Sequence, residues 1–130
     1  MKIGELATLT CCSVQAIRYY EKKKLLSSTH RSEGNFRLYD SSAVEQLKFI
    51  KQCRSLDLSL AEIRQLIELN QQPSIQCEDV NKMVDEHIDQ VALRIKELKY
   101  LQKQLMLLRE SCSSNRTVSE CGILHNLSTN

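Results

Sequence analysis

Residues 76 to about 111 contain neither glycine nor proline, and apolar side chains recur among them at steps of 4, 3, 4, 3 and 7 residues. This spacing predicts one long helix with a coiled-coil seam along one side. A helix of about 36 residues extends about 54 Å, which is longer than a small domain needs for itself. We therefore expect it to pair with a second copy of the chain in a homodimer. The predicted seam residues are Val84, Ile88, Val91, Ile95, Leu98 and Leu105.

The composition of the whole chain also favours helices. Its 130 residues include 3 glycines, 1 proline and no tryptophan, and 5% of the side chains are aromatic. A β-sandwich or barrel needs more turns and more aromatic strands. Because the hydrophobic content of 42% is that of a globular protein, the expected fold class is mainly α.

Two short helices joined by a tight link are predicted at the start of the chain, because apolar residues recur there with helical spacing. Ser13 is placed to cap the second helix with its hydroxyl. This is the outline of a helix-turn-helix. The predicted apolar faces are Ile3, Leu6, Ala7 and Leu9 in the first helix, and Val14, Ile17, Tyr20 and Leu25 in the second.

A short β-hairpin, or wing, is predicted next. The segment 27–39 is rich in Ser, Thr, His and Asn, with a turn signal at 33–35 and an alternating, strand-like pattern at 36–39. Two Ser-x-x-Glu capping boxes, at 42–45 and 59–62, then predict helices over roughly 42–55 and 59–70. The polar segment 71–74 is the expected linker to the long helix.

Charge is unevenly distributed along the chain. Residues 1–39 carry 7 basic and 3 acidic side chains, a net of +4, whereas the remaining 91 residues carry 11 basic and 13 acidic ones, a net of −2. A basic head on a mildly acidic remainder is typical of a nucleic-acid-binding unit joined to a protein–protein element. Arginine binds phosphate or guanine, and tyrosine hydroxyls often bind phosphate. The expected DNA contacts in the second helix and the wing are Val14, Gln15, Arg18, Tyr19, Arg31, Asn35, Arg37 and Tyr39.

A purely structural role is the alternative for part of this head. In that interpretation Tyr20 and Tyr39 are half-buried core residues. The basic run at 22–24 is then a solvated helix end that interacts favourably with the helix dipole.

Three cysteines are candidates for binding a metal ion. The heptad phase of the seam extends back from Val84 to Cys77 and forward from Leu105 to Cys112. If two long helices pair antiparallel about their centre, Cys77 of one chain faces Cys112 of the other, whereas a parallel pair brings Cys77 against Cys77. Cys121 follows a serine-rich segment that can loop back. Three thiols from two chains can then converge, twice per dimer.

The type of ligand points to a soft metal. Three thiolates without a fourth protein ligand suit a large, soft cation better than structural Zn(II), which usually takes four ligands. We find neither a signal peptide nor a membrane-spanning run, so we expect a cytoplasmic, reduced protein in which six cysteines serve metal or thiol chemistry rather than disulfides. The alternative is that Cys77 and Cys112 are small seam residues and that Cys121 is an exposed tail thiol.

The other cysteines and histidines are expected to be structural. Cys53 lies in the apolar phase of its helix and is predicted to be a core residue. Cys11 and Cys12 form the turn between the first two helices. His87 is expected to flank the seam, and His125 to be a solvated tail residue.

Several segments resemble known regulators. Residues 1–7 (MKIGELA), 14–21 (VQAIRYYE) and 35–39 (NFRLY) resemble the winged-helix head of the MerR family. Farther along, residues 84–88 (VDEHI) and 121–124 (CGIL) are similar to its cadmium- and lead-responsive branch. The resemblance covers essentially the whole chain.

This resemblance implies a function. The family forms homodimers through an antiparallel coiled coil, with a metal site built from Cys77 of one protomer and Cys112 and Cys121 of the other. It implies that the dimer binds double-stranded promoter DNA and, with Cd(II) or Pb(II) bound, distorts that DNA so that RNA polymerase can use the promoter. The expected domains are a winged-helix DNA-binding domain at 1–72, a dimerisation helix at 73–111, and a metal-binding loop with a short C-terminal helix at 112–130.

The sequence departs from the family pattern at two points. Lys24 stands where many members have glycine at the end of a helix, which leaves the form of that turn open. A histidine-rich C-terminal extension is absent from this sequence, which predicts one type of metal site per protomer. The eight residues between Cys112 and Cys121 match lead- and mercury-responsive members. Hg(II) and Zn(II) therefore stay open as alternative effectors.

Other classes of protein fit the sequence less well. A coiled-coil adaptor or metal-buffering protein that never contacts DNA is the main alternative, and the basic winged head argues against it. An enzyme is not expected, because the motifs supply no paired carboxylates, no nucleophile with a base and no phosphate-binding loop.

Overall fold

The computed structural model describes residues 1–27, 30–31, 34 and 37–129, with the backbone alone at residues 30, 31 and 37. The chain divides into two compact units, Met1–Met83 and Val84–Asn130. The fold is mainly helical, as predicted. Among the described residues, no helix has the length and apolar character needed to cross a membrane.

The first unit begins with helices α1 (Ile3–Thr10) and α2 (Val14–Lys22), which confirm the predicted helix-turn-helix. The hydroxyl of Ser13 accepts the N–H of Ala16 at 3.0 Å, so Ser13 caps α2 as expected. The predicted apolar face of α1 is wrong at Leu9, which is 58% exposed. Thr10 is buried instead. Its hydroxyl donates to the carbonyl of Leu6 at 2.8 Å, so burial leaves this hydroxyl with a hydrogen-bond partner.

Helix α2 ends in a left-handed turn at Lys24. The backbone φ of Lys24 is 61°, in the region that favours glycine. The N–H of Leu25 reaches back to the carbonyl of Tyr20 at 2.9 Å. The turn therefore has the form that a glycine would give, although a lysine occupies the position.

The wing consists of strands β1 (His30–Arg31) and β2 (Arg37–Leu38), which pair antiparallel. The predicted hairpin is confirmed, while most of its predicted turn lies outside the described residues. Directly after β2, the backbones of Tyr39 and Met1 exchange two hydrogen bonds of 2.6 and 2.7 Å. The start of the chain thus fixes the base of the wing.

Helices α3 (Ser41–Ser55) and α4 (Leu60–Asn70) complete the head. The capping box at Ser59 is confirmed, because its side chain and backbone exchange hydrogen bonds with Glu62 at 3.1 and 2.8 Å. The box predicted at Ser42 is wrong. Asp40 caps α3 by accepting the N–H of Ser42 at 3.0 Å. A charged carboxylate is a strong acceptor at the positive end of a helix dipole.

Two buried clusters hold these four helices together, and Tyr20 packs against both. Burial of aliphatic surface stabilises such a core by about 25 cal/mol per Å². The first cluster consists of Leu6, Ile17, Leu26, Tyr39, Ala43 and Leu47, and the second of Leu25, Ile50, Cys53, Leu58 and Ile63.

Cations from the later helices cap the C-terminal ends of α1 and α2. Lys51 Nζ lies 3.2 Å from the carbonyl oxygen of Thr10 and 3.4 Å from that of Cys11. The guanidinium of Arg64 donates to the carbonyl of Lys23. Positive charge is favourable at this end of a helix, so both contacts orient the helix-turn-helix on α3 and α4.

The predicted long helix is present as α5 (Glu78–Glu110), with 33 residues and a length of about 50 Å. In the second unit it is followed by a 3₁₀ turn (Val118–Glu120) and helix α6 (Gly122–Thr129). The six predicted seam residues are all exposed, from 41% at Val91 to 57% at Ile88 and Leu105. A row of exposed aliphatic side chains of this length indicates a surface that another protein chain covers.

Candidate metal centre and DNA-binding surface

The three candidate metal ligands lie at helix ends. Cys77 directly precedes α5, and its carbonyl accepts the N–H of Asn81 at 2.8 Å. Cys112 comes two residues after the end of α5, and Cys121 directly precedes α6. Cys77 and Cys112, which continue the heptad phase of the seam, therefore lie just outside the helix that carries it.

Cys112 and Cys121 are brought together within the second unit. The thiol of Cys112 donates to the carbonyl of Ser113 at 3.5 Å, and it lies close enough to Cys121 to lower the pKa of that thiol. Both side chains are half-buried. The loop between them returns the chain, as expected from its serine-rich sequence, and places two soft donors side by side.

The surroundings of Cys121 favour its thiolate form. The pKa of this thiol is lowered, first by the backbone N–H of Leu124 and next by the hydrogen bond from Cys112. The N–H of Ile123 and the positive charge of Arg116 lower the pKa further, while partial burial opposes them. N–H groups at the start of a helix commonly stabilise an anion in this way. Since the thiolate is the form that binds metal ions, the site is suited to a soft cation.

Gly122 makes the return of the chain possible. A Cβ atom at this position would lie 2.0 Å from the carbonyl oxygen of Ser111, so any larger residue would clash with backbone. At the end of α5, the backbone of Cys112 is held by Arg109, whose Nη1 donates to the Cys112 carbonyl at 2.8 Å. Sequence reasoning missed Gly122 as a positioning residue. The available signal was a glycine directly after a candidate ligand in a chain with only 3 glycines.

Cys77 belongs to the first unit, where it is exposed beside a cavity of about 270 Å³. Among the described residues of a single chain, no three His, Cys, Asp or Glu side chains meet in a group that could hold a metal ion. One chain thus offers Cys77 in its first unit and the Cys112–Cys121 pair in its second. Sulfur donors are the ligands that soft cations prefer. The cavity is lined mainly by apolar side chains, including Phe49, Leu66, Leu69, Pro73, Ile75 and Val80.

The remaining cysteines have structural positions. Cys53 is buried in the core as predicted, and burial raises the pKa of its thiol. Cys11 is exposed in the turn after α1, and the Cys12 thiol donates to the carbonyl of Thr10 at 3.6 Å. His125 is exposed on α6. These positions agree with the structural roles expected for them.

One face of α2 is open to solvent. Gln15, Arg18, Tyr19 and Lys22 are exposed and follow one another at helical spacing, whereas Val14 is half-buried. In addition, Lys23 Nζ lies 5.7 Å from the centre of the Tyr19 ring. The row presents amide, guanidinium, hydroxyl and ammonium groups, which are the groups that contact DNA phosphates and bases.

Tyr39 does not belong to this surface. Its side chain is 2% exposed, and its hydroxyl donates to the Glu21 carboxylate. The prediction of Tyr39 as a DNA contact is therefore wrong, and the alternative of a core residue holds; the bond ties the base of the wing to α2. Arg31 and Arg37 lie opposite each other in the wing backbone. Their side chains, and the whole of Asn35, lie outside the described residues.

Comparison with known proteins covers both units. The family model described as MerR HTH family regulatory protein matches residues 1–69, and the model described as MerR, DNA binding, matches residues 44–108. The HTH-type transcriptional regulator ZntR homolog of Haemophilus influenzae is 45% identical over 115 residues, which cover 88% of this chain and 85% of the relative.

Two solved structures are similar over nearly the full chain. The transcription regulator PbrR691 from Ralstonia metallidurans in complex with lead(II) has a TM-score of 0.86 and 50% identity, and 98% of each chain is covered. The dual function transcriptional regulator MerR from Bacillus megaterium in complex with mercury(II) has a TM-score of 0.71 and 30% identity, with 98% of this chain and 99% of that chain covered. The resemblance in the sequence is thereby confirmed. The chain belongs to the MerR family of helix-turn-helix regulatory proteins, which are transcription regulators rather than enzymes.

Proposed function

We propose that this protein is a homodimeric activator that binds promoter DNA and responds to Cd(II) or Pb(II). The metal ion would bind to Cys77 together with Cys112 and Cys121 of the partner subunit. The observation that carries the proposal is the Cys112–Cys121 pair, which the close approach of Gly122 to Ser111 brings together and in which the pKa of Cys121 is lowered. Two adjacent thiols satisfy part of the coordination of a soft cation, which needs a further thiolate.

Antiparallel pairing of α5 supplies that further ligand. Cys77 lies one residue before α5 and Cys112 two residues after it, so the two cysteines flank the helix almost symmetrically. When two such helices pair antiparallel through the exposed seam, each Cys77 comes to the end that carries Cys112 of the partner subunit. The dimer then has two equivalent three-thiolate sites.

The position of Cys77 supports a route from metal to DNA. Cys77 lies in the segment that joins α4 to α5, and α4 packs in the same core as α2. Coordination that ties this segment to the partner subunit would bias the angle between the two DNA-binding heads. A change in that angle would distort the bound promoter, which RNA polymerase then uses.

The choice of metal rests on ligand chemistry and similarity. Three thiolates favour a large, soft ion over structural Zn(II). The relative solved with lead(II) is 50% identical, and the one solved with mercury(II) is 30% identical. The similarity to the lead(II) complex favours Pb(II), with Cd(II) as an ion of similar chemistry, and Hg(II) and Zn(II) are the alternatives.

A competitive titration of the reduced protein with Pb(II), Cd(II), Hg(II) and Zn(II) tests the site. Thiolate-to-metal absorption reports binding, and one ion per protomer is expected. Cys77→Ser, Cys112→Ser and Cys121→Ser should each abolish tight binding. Cys11→Ser, which removes an exposed thiol outside the proposed site, is the matched control and should bind as the parent does. Full binding by all three site variants would overturn the proposed ligands.

A gel shift with the promoter of its own operon tests the DNA-binding role. Specific binding that weakens with salt and with Arg18→Ala is expected, because a cationic contact releases counterions from the DNA. Failure to bind any promoter DNA would favour the metal-buffering coiled-coil protein instead.

A further inference from the structure

Close packing of the backbone brings the segment of Cys112 beside that of Cys121. Gly122 packs so closely on Ser111 that a Cβ atom would lie 2.0 Å from the Ser111 carbonyl oxygen. Ser111 and Gly122 are the direct sequence neighbours of the two cysteines. The contact between these neighbours therefore brings Cys112 and Cys121 close to each other within the second unit.

The other cysteines are placed differently. Cys112 and Cys121 are the only cysteines of the sequence beyond residue 84. Cys53 is buried in the core of the first unit, and Cys12 donates to a backbone carbonyl there. Both members of the pair are half-buried, so a small oxidant reaches them. This combination of proximity and access marks the pair as a site of oxidation.

We infer that Cys112 and Cys121 of one protomer form a reversible disulfide when the metal site is empty and the protein meets a hydroperoxide. The inference rests on the proposed function in one respect, namely that the same two sulfurs are taken as metal ligands. It adds a covalent modification and a class of oxidant that metal binding does not involve.

The reaction needs no reagent besides the peroxide. One of the two sulfurs, as its thiolate, attacks a peroxide oxygen, so that an S–O bond forms, the O–O bond breaks, and the leaving oxygen departs as water or an alcohol. The second sulfur then attacks the sulfenic acid, forming the S–S bond and releasing water that carries its proton. Two thiols are oxidised by two electrons, and the peroxide is reduced by two.

The modification would disable the metal response. A disulfide removes two of the three proposed ligands, so the oxidised dimer binds no ion at either site. The disulfide would belong to the second unit, whereas the exposed face of α2 belongs to the first, so we expect DNA binding to persist. A bound metal ion occupies both sulfurs and protects them. The oxidised regulator would thus stay on its promoter without responding until a thiol reductant restores it.

Peptide mapping of the full chain tests the disulfide directly. Metal-free, reduced protein is treated with hydrogen peroxide, its remaining thiols are alkylated, and it is digested with trypsin without reduction. Trypsin cleaves after Arg109 and Arg116, so Cys112 and Cys121 fall in separate peptides, 110–116 and 117–130. We expect these two peptides to be joined, and to separate after treatment with dithiothreitol. Loading with Pb(II) before the peroxide should prevent the link.

Matched variants separate this inference from the proposed function. Cys77→Ser removes a proposed metal ligand but should form the disulfide as the parent does, whereas Cys121→Ser should leave Cys112 free for alkylation. If the parent protein forms the disulfide but all three Cys→Ser variants bind metal as the parent does, the inference would be supported and the proposed metal site refuted. Peptides that stay separate and alkylated after peroxide has oxidised Cys11 would overturn the inference and leave the metal site standing. A link from Cys112 to Cys77 would also overturn it.

Discussion

Within the part of the chain that the structure describes, three residues other than glycine have left-handed backbone, and each follows a helix of the head. Cys11 comes after α1, Lys24 after α2, and Asp57 after α3, with φ between 56° and 62°. A side chain in this conformation costs about 1 kcal/mol relative to glycine. The chain therefore keeps its tight helix ends at the expense of stability, and glycine at one of these positions should recover it.

Replacing Lys24 by glycine is expected to stabilise the protein by about 1 kcal/mol. The left-handed φ of Lys24 suits glycine, and the substitution removes no buried contact, because the side chain is exposed. Denaturant unfolding measures the gain. Lys23→Gly is the matched control, since φ is −83° at Lys23 and glycine there only loosens the chain. Equal stability of the two variants would contradict the prediction.

The cysteine thiols should differ in their pH dependence of alkylation. Because the pKa of Cys121 is lowered, its reactive thiolate persists as the pH falls, whereas burial raises the pKa of Cys53 and confines its thiolate to more alkaline pH. In metal-free protein, alkylation followed by mass spectrometry should modify Cys121 well before Cys53 at neutral pH. Unfolding in denaturant should make the two rates equal. Faster modification of Cys53 in the native protein would contradict the structure around both thiols.

At the scale of helices, the sequence alone predicted most elements, because their signals are local. Apolar spacing located α1, α2 and α5, and Ser59 with Glu62 located the start of α4. The start of α3 was misassigned. Asp40 and Ser42 are both common N-cap residues and lie within three positions, and the sequence pattern does not show which of them caps the helix.

The contents of the candidate site were predictable only in part. Heptad spacing selected Cys77 and Cys112, and the serine-rich loop suggested that Cys121 returns toward Cys112. The contact of Gly122 with Ser111 and the bond from Tyr39 to Glu21 depend on how distant segments pack. Such tertiary contacts leave no periodic signal in one sequence, so Gly122 was missed and Tyr39 was assigned to the wrong surface.

A substitution at Gly122 tests how α6 positions the metal ligands. Gly122→Ala puts a methyl group into the Ser111 carbonyl, so α6 must move away from the end of α5 and carry Cys121 with it. We expect metal affinity to fall about 10- to 100-fold, as when the support of a ligand is removed, with DNA affinity unchanged. Gly4→Ala is the control, because nothing lies within 4 Å of a Cβ there, and it should bind metal normally. Unaltered metal affinity in Gly122→Ala would show that this contact does not position the ligands.

At the scale of the whole molecule, the exposed seam of α5 is proposed to hold the dimer. Ile95 lies in the heptad phase near the centre of the helix and is 50% exposed. Ile95→Glu would bury a charge in the paired state, at a cost of about 3 kcal/mol per side chain. Because each dimer carries two such side chains, the dissociation constant should rise on the order of 10⁴-fold. Sedimentation should show monomers. Leu93, which is 58% exposed but lies outside the heptad phase, gives the matched control Leu93→Glu. That control should stay dimeric, and dissociation of both variants alike would reject this seam.

The proposed sharing of each metal site between two protomers has a consequence that no single variant reveals. A Cys77→Ser protomer keeps Cys112 and Cys121, and a Cys112→Ser, Cys121→Ser protomer keeps Cys77. Each homodimer of these variants lacks both sites. Their heterodimer, purified with two different affinity tags, regains one complete site, because Cys77 of one chain meets the intact pair of the other.

Metal titration of this heterodimer should therefore give one Pb(II) per dimer, half the parental stoichiometry, while neither homodimer binds. If each site lay within a single protomer, the heterodimer would contain no complete site and would bind no metal ion. Parallel pairing of α5 would also leave the heterodimer without a site, because Cys77 would then face the mutated position of Cys77 at the same end. Recovery of half the sites thus requires both the shared ligand set and the antiparallel direction of the two long helices. The stoichiometry of Pb(II) per heterodimer therefore tests both features at once.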